Sequence, residues 1–333
     1  MDPFAKGIPT IFIIGTPFQM LCALQAIRDF EITDYDVFIT SRFRDYQMLP
    51  LLDKFKIKYQ YVELFAYHSR KKWIKALFSN GRYKRAFIGH FQNKDMYFEA
   101  LMHLGFGSYI IYMDDGTATL KLLMGYEKVD YKDSFFIKVS LLCGLKRIAV
   151  GNSLYTMFFD YNKDMFKYCE KNNLDLYRFN KMSLQKGIYV IGTNFAGYKR
   201  DYSCDIDSFL LHMKSMFKYL KTKYDNVYYI PHGCDDGSVS KKLCQDYSVE
   251  FLKLDRPVEV YFIENGIIPY SVYGFTSTAL YVLKNIYVNL NVGLYNVVSK
   301  FCMEREPGKV LRSVTSIFSA EGIETIYIED FDN

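Results

Sequence analysis

The sequence predicts an α/β protein built from two Rossmann-like halves. Short apolar runs alternate with stretches whose apolar residues recur every three or four positions, which indicates strands alternating with helices. Such alternation favours parallel sheets with right-handed crossovers. A second cycle begins near residue 187, and a chain of 333 residues exceeds the size at which one hydrophobic core usually keeps growing. We therefore expect two domains, at residues 1–180 and 187–333, with a ligand-binding cleft between them.

The composition is that of a folded globular protein, with 50% hydrophobic and 24% charged residues. The net charge of +5 is mild, and the basic residues are scattered rather than arranged in the dense stripe of a nucleic-acid-binding surface. Seven cysteines without a close pair or a CxxC motif argue against a disulfide framework and a zinc site. No apolar stretch reaches the roughly 18 to 20 residues of a membrane span. We expect a cytoplasmic protein that does not bind nucleic acid. Its basic residues permit peripheral attachment at the inner membrane face.

The first half begins with a β-turn-α unit. Thr10–Ile14 is an apolar run of strand length, and Thr16 as N-cap with Pro17 in the first turn predicts a helix over residues 20–30. The same rhythm predicts strands at 36–40, 59–65, 85–89 and 109–113, and helices at 45–55, 72–78 and 95–104. Longer apolar-aromatic patterns predict helices at 132–145 and 154–172, followed by a polar linker at 172–186.

The second half repeats the pattern. A strand at 187–191 ends in Gly192, Thr193 and Asn194, and an amphipathic helix follows at 207–223. Another strand, at 227–230, ends in Pro231, His232 and Gly233. The remaining prediction is strands at 249–252, 272–275, 286–290 and 323–328 and a helix opening at 279–283, while 260–263 fits a helix or a strand.

Asp114, Asp115 and Gly116 follow the apolar run at 109–113, so two carboxylates stand where a strand leaves the sheet. In open α/β sheets that edge is where ligands bind. Adjacent side chains on an extended segment point opposite ways, so one Asp should face the ligand and the other support the loop. An Asx-turn or helix N-cap is the structural alternative. Met113 occupies the position of the nucleophile of haloacid dehalogenase phosphatases, which excludes that class, and the adjacent acids fit a metal-binding Asp-x-Asp poorly.

Three further groups could carry chemistry. His232 follows a strand end, whereas the other histidines, at positions 68, 90, 103 and 212, are interpreted as structural. Thr276, Ser277 and Thr278 form a strand-to-helix turn, which is suited to phosphate binding or to plain N-capping. Glu259 could accept hydrogen bonds from ribose hydroxyls, with Glu264 as a competitor and a solvated surface carboxylate as the default for either.

Taken together, these residues resemble the bacterial sialyltransferases, most closely glycosyltransferase family 52, which includes lipooligosaccharide and O-antigen sialyltransferases. The motifs occur in the family's order and are spread over most of the chain. They are Thr16-Pro17-Phe18-Gln19, Asp114-Asp115-Gly116, Pro231-His232, Pro257-Val258-Glu259 and the segment from Gly274 to Leu280.

The resemblance implies a GT-B fold, with an acceptor-binding domain at 1–180 and a CMP-sugar donor-binding domain at 187–333. It implies CMP-sialic acid as donor, a galactose-ended glycan of lipooligosaccharide, O-antigen or capsule as acceptor, and inversion at the anomeric carbon without a metal or other cofactor. The acceptor could be lipid-linked.

The resemblance also implies a role for each matching residue. Asp114 is favoured as the general base, with Asp115 in reserve, and His232 is the general acid at the phosphate of departing CMP. Ser277 and Thr278 bind that phosphate, and Glu259 holds the ribose. The other implied donor-binding residues are Gly192, Thr193, Asn194, Pro231, Gly233 and Thr276, and those on the acceptor side are Thr16, Pro17, Gln19 and Gly116.

One motif departs from the family. The family has His-Pro, whereas this chain has His232-Gly233, and glycine loosens the loop that aims the imidazole. Three alternatives remain open from the sequence. They are transfer of another CMP-activated keto-sugar such as Kdo, a metal-dependent transferase with Asp114 and Asp115 as ligands, and a non-catalytic nucleotide- or glycan-binding protein.

Overall fold

The computed structural model describes residues 2–40, 45–64, 80–126, 149–161, 165–175, 183–194, 206–233, 235, 237–287, 290–304 and 308–332. The chain divides into two compact units, residues 1–176 and 177–333. In the described residues, each unit contains one sheet whose paired strands are all parallel. The predicted α/β class of two Rossmann-like domains is therefore confirmed.

Unit 1 has a seven-stranded sheet in the order β3-β2-β1-β4-β5-β6-β7. Apolar residues of β1, β4 and β5 are buried, as expected for a parallel sheet covered on both faces. The strands are β1 (Thr10–Ile14), β2 (Tyr35–Ile39), β3 (Tyr59–Tyr61), β4 (Tyr83–Ile88), β5 (Leu104–Met113), β6 (Ala149–Thr156) and β7 (Tyr168–Lys171). The described helices are α1 (Pro17–Asp29), α2 (Asp45–Lys54), α3 (Lys94–His103) and α4 (Thr117–Leu123).

One helix prediction in this unit is wrong. The segment 154–172 contains the end of β6 and all of β7 rather than a helix. Residues 153–158 are continuously buried, so this run has no polar alternation and resembles a buried helix, whereas β7 is a partly exposed edge strand. The helices predicted at 72–78 and 132–145 lie outside the described residues.

The N-terminal segment, which has no readable sequence pattern, is part of the fold. Phe4 is buried, and its ring centroid lies 5.2 Å from that of Phe30. The buried Arg85 guanidinium donates to the carbonyl oxygens of Pro3 at 3.0 Å and Ala5 at 3.1 Å. Burial lowers the pKa of Arg85 to about 10. The segment thus supplies acceptors for a cation that would otherwise be buried with few partners.

Unit 2 has a six-stranded sheet in the order β10-β9-β8-β11-β12-β13. Its strands are β8 (Ser183–Ile191), β9 (Val227–Ile230), β10 (Glu250–Phe251), β11 (Ile267–Gly274), β12 (Gly293–Val298) and β13 (Glu324–Tyr327). The helices are α5 (Ile206–Lys223), α6 (Ser238–Asp246), α7 (Val258–Glu264), α8 (Thr278–Ile286), α9 (Lys300–Glu304) and α10 (Gly308–Ala320). A 3₁₀ helix, Ile328–Asp332, closes the described chain.

Several boundaries differ from the prediction. The strand predicted at 286–290 is wrong, because Ile286 ends α8 and the next strand is β12. The ambiguous segment 260–263 is helical, inside α7. Strand β8 begins at Ser183, within the predicted linker, since its polar first half pairs with β11 through the backbone and leaves its side chains exposed. No helix in the described part of the chain is long and apolar enough to cross a bilayer.

Candidate active site

The carboxyl edge of the unit 1 sheet gathers polar side chains from three neighbouring strands. Strands β1, β4 and β5 lie side by side, and each leads directly into a polar loop. Gln19 lies in the first turn of α1, His90 follows β4, and Asp114 and Asp115 follow β5. Because the strands are parallel, these residues meet at one edge, which is the ligand-binding edge of open α/β sheets.

Asp114 is fully buried, and each of its carboxylate oxygens accepts a hydrogen bond. Its Oδ1 accepts a hydrogen bond from the Thr156 hydroxyl at 2.5 Å, and its Oδ2 accepts one from the Met157 backbone N–H at 2.7 Å. Burial raises the pKa of Asp114 to about 7, against the opposing effect of these two donors. The carboxylate therefore ties the end of β5 to the end of β6 and supports the loop.

Asp115 is the accessible carboxylate of the pair, with 17% of its side chain exposed. Its Oδ1 accepts from Gln19 Nε2 at 2.7 Å, and its Oδ2 lies 3.2 Å from His90 Nε2. Its backbone N–H donates to Thr119 Oγ1 at 2.9 Å. Gly116 follows with a φ of 67°, a left-handed conformation that favours glycine, and begins α4 as its N-cap.

His90 is the residue that the sequence analysis missed. Its Nδ1 accepts from the Gln92 backbone N–H at 3.1 Å, so the neutral imidazole carries its proton on Nε2, which lies 3.2 Å from Asp115 Oδ2. The histidine was interpreted as structural, yet it stands two residues after β4, in the same strand-end pattern that singled out His232. That pattern could have found it.

Gln19 orients Asp115 instead of facing solvent, since only 1% of the residue is exposed. Thr16 caps α1 by accepting from the Gln19 backbone N–H at 3.2 Å, as its sequence position predicts. The Gln19 side chain accepts from Gly15 N–H at 2.7 Å and donates to Asp115. A Cβ on Gly89 would lie 2.2 Å from Gln19 Oε1, so glycine leaves the space that this amide occupies.

The carboxyl edge of the unit 2 sheet carries the second group of predicted residues. Neighbouring strands β9, β8 and β11 lead into the segments beginning at Pro231, Gly192 and Phe275. His232 is half-buried, and its carbonyl accepts from the Asp235 backbone N–H at 2.7 Å. The Asp235 carboxylate accepts from Gly237 N–H at 2.8 Å and from the Ser240 hydroxyl at 2.7 Å. These bonds restrain the turn that Gly233 would loosen.

The turn after β11 leads into α8. Ser277 is the N-cap, and its hydroxyl accepts from the Ala279 backbone N–H at 3.3 Å. Thr278 is the first helical residue. Thr276 is buried, has a φ of 51°, and its backbone N–H donates to Asn296 Oδ1 at 2.8 Å. This segment therefore presents a capped helix N-terminus, a favourable location for an anion.

The two candidate glutamates differ in their surroundings. Glu259 lies in the first turn of α7 and is 7% exposed, and burial raises its pKa to about 7. Glu264 forms an ion pair with the Arg256 guanidinium, which makes Glu259 the better candidate for binding ribose. Among the described residues, no group of three or more His, Cys, Asp or Glu side chains could hold a metal ion.

The chain has one parallel Rossmann-like sheet in each unit and shares the GT-B class of fold with solved structures that include two bacterial sialyltransferases. One is the 2,6-sialyltransferase of Photobacterium sp. JT-ISH-224 in a ternary complex with the donor product CMP and the acceptor lactose. It is 12% identical at a TM-score of 0.54, over 96% of this chain and 78% of that one. Another is the GT-B domain of a Photobacterium damselae sialyltransferase, 14% identical at a TM-score of 0.50, over 96% of this chain and 99% of that one. No protein-family model and no curated protein matches the sequence.

Proposed function

We propose that this protein is an inverting sialyltransferase that moves sialic acid from CMP-sialic acid to a galactose-ended glycan, without a metal ion. The observation that carries the proposal is Asp115, a partly exposed carboxylate held by Gln19 and His90 at the ligand-binding edge of unit 1. The GT-B fold shared with two sialyltransferases supports it. We propose glycosyl transfer as the general activity and CMP-sialic acid as its specific donor.

The general base of the proposed reaction is Asp115 rather than Asp114. Asp114 is fully buried and holds Thr156 and Met157, so an acceptor hydroxyl cannot approach its oxygens. Asp115 has 17% of its side chain exposed, so an acceptor hydroxyl can approach its carboxylate. It removes the hydroxyl proton while the acceptor oxygen bonds to the anomeric carbon. His90 and Gln19 hold the carboxylate in position.

The donor group is assigned to unit 2. As the bond between the anomeric carbon and the CMP oxygen breaks, its electron pair goes to the phosphate of CMP. His232 donates a proton to that phosphate, and the α8 N-terminus with Ser277 and Thr278 stabilises its charge. Glu259 holds the ribose, because a carboxyl with a pKa of about 7 can exchange hydrogen bonds with ribose hydroxyls in either protonation state.

The remaining predicted residues have supporting positions. Gly192, Thr193 and Asn194 follow β8, between the His232 and Ser277 segments, where they would line the donor site. Thr16, Pro17 and Gly116 lie at the unit 1 edge, on the side proposed for the acceptor. Thr276 lies directly before the α8 N-terminus, and its buried hydroxyl has no hydrogen-bond partner among the described residues. A lipid-linked acceptor would require the protein to work beside the inner membrane face.

A donor panel tests the proposal. Melting temperature is measured with CMP, CMP-sialic acid, CMP-Kdo, UMP and GMP, and lactose products are then identified by mass. We expect stabilisation by the cytidine nucleotides and a lactose product carrying sialic acid, with the rate unchanged by EDTA. Consumption of CMP-Kdo instead would assign another keto-sugar, and loss of activity with EDTA would assign a metal-dependent transferase. Stabilisation by CMP without consumption of any donor would make the protein a binding protein.

A further inference from the structure

Thr276 adopts a backbone conformation that its side chain disfavours. Its φ of 51° is in the left-handed region, which a β-branched residue rarely occupies because its Cβ crowds the backbone. Its hydroxyl is also buried and has no hydrogen-bond partner among the described residues. Such a conformation persists only when the surrounding structure enforces it, and conformations of this kind cluster at functional sites.

Asn296 is the residue that enforces it. Asn296 lies on β12 opposite Gly274 of β11, and it is fully buried. Its Oδ1 accepts the Thr276 backbone N–H at 2.8 Å, just where the chain leaves the sheet. Its Nδ2 makes a longer contact, 3.4 Å, with the Thr315 hydroxyl on α10. The side chain therefore holds the turn from inside the unit.

The held turn determines where α8 begins. Thr276 directly precedes the N-cap Ser277, and Thr278 follows as the first helical residue. A change in the Thr276 dihedral angles would redirect both following residues and the first amides of the helix. The unpartnered Thr276 hydroxyl lies beside the same helix end, which supports a ligand-binding role for the turn.

We infer that Asn296 is a positioning residue for the donor phosphate, acting through Thr276 to place Ser277, Thr278 and the α8 N-terminus. The inference rests on the proposed function, because it takes the phosphate of a cytidine nucleotide as the anion bound there. Asn296 itself does not touch the ligand in this proposal. Asn296 therefore affects the affinity for the phosphate group and does not affect the affinity for the nucleoside.

The test compares CMP with cytidine, which lacks the phosphate. Binding of each is measured by calorimetry for the wild type, Asn296→Ala, Thr276→Gly and the double variant. We expect Asn296→Ala to lower the affinity for CMP roughly tenfold while cytidine affinity changes less than about twofold. Glycine adopts the left-handed conformation readily, so Asn296→Ala should cost less CMP affinity in the Thr276→Gly background.

Thr315→Val is the matched control, because it removes a buried hydroxyl from the same neighbourhood but keeps the bond from Asn296 to Thr276. It should leave the ratio of CMP to cytidine affinity within about twofold of the wild type. If Asn296→Ala kept the wild-type ratio of CMP to cytidine affinity, including by losing affinity for both ligands equally, the positioning role would be overturned. A wild-type protein that binds CMP no better than cytidine would overturn the phosphate site and with it the proposed function.

Discussion

His90 Nε2 lies 3.2 Å from Asp115 Oδ2, and the Gln92 backbone N–H occupies the other ring nitrogen of this histidine. The contact joins the loops after β4 and β5, which are neighbours in the unit 1 sheet. Asp115 is therefore oriented by the Gln19 amide and the His90 imidazole, and it is still accessible. The first predictions follow from this arrangement.

Replacing Asp115 should lower turnover, whereas replacing Asp114 should lower stability. Asp115→Asn should lower turnover by about 10² to 10⁴-fold, because the general base is lost, with little change in melting temperature. Asp114→Asn should destabilise the protein by roughly 1 to 3 kcal/mol, because its amide cannot accept from both Thr156 and Met157. CMP release and thermal unfolding separate the two effects. Normal turnover of Asp115→Asn would remove that residue from the mechanism.

His90→Phe should weaken catalysis without unfolding the protein. It removes the imidazole that lies 3.2 Å from Asp115 Oδ2 but fills a similar volume at a half-buried position. A polar contact of this kind contributes about 1 to 1.5 kcal/mol, so we expect turnover to fall roughly fivefold to tenfold. His103→Phe is the matched control, since His103 contacts Glu99 instead of Asp115. Equal losses in both variants would contradict a specific role for His90.

Gly89→Ala should reproduce the effect of Gln19→Leu. The new methyl would lie 2.2 Å from Gln19 Oε1, so the amide must move and give up its bonds to Gly15 and Asp115. We expect both variants to lose roughly tenfold or more in turnover while staying folded. Steady-state rates and circular dichroism provide the comparison. An active Gly89→Ala variant beside an inactive Gln19→Leu variant would show that the amide adapts.

The contribution of Glu259 to the unfolding free energy should be larger in acid than at neutral pH, with Glu259→Gln as the reference variant. Its folded-state pKa is raised to about 7, whereas an unfolded Glu titrates near about 4.3. The folded state therefore holds an extra proton between these values, so this contribution is full below the lower pKa and is lost as pH rises through the upper one. The unfolding free energy of the wild type minus that of Glu259→Gln should fall between about pH 4 and pH 7. A flat difference would mean that the carboxyl is ionised throughout.

Removing residues 2–6 should destabilise unit 1. The deletion takes away the carbonyl acceptors of Pro3 and Ala5 and leaves the Arg85 guanidinium buried with fewer partners. The expected loss is on the order of 3 kcal/mol in the unfolding free energy, measured by urea denaturation. Adding Arg85→Met to the truncated chain should recover part of this loss, because a neutral side chain needs no acceptors. Unchanged stability after truncation would contradict this role of the segment.

The sequence by itself determined the fold class and most strand ends that carry polar residues. Apolar runs followed by glycine and polar side chains are local signals, which is why Asp114, Asp115, His232 and Ser277 could be picked out from the chain alone. The N-caps Thr16 and Ser277 follow from local chemistry in the same way. Local patterns misplaced the segment 154–172, because its buried apolar run at 154–158 has the same pattern as a buried helix.

Only the tertiary structure decided what each strand-end residue does. Asp114 is buried because Thr156 and Met157, at the end of a different strand, reach both of its oxygens. Asp115 is the accessible acid because Gln19 and His90 approach it from two other loops of the same edge. Asn296 holds Thr276 across two paired strands. These hydrogen bonds join residues far apart in sequence, and no local periodicity encodes which side chains will meet.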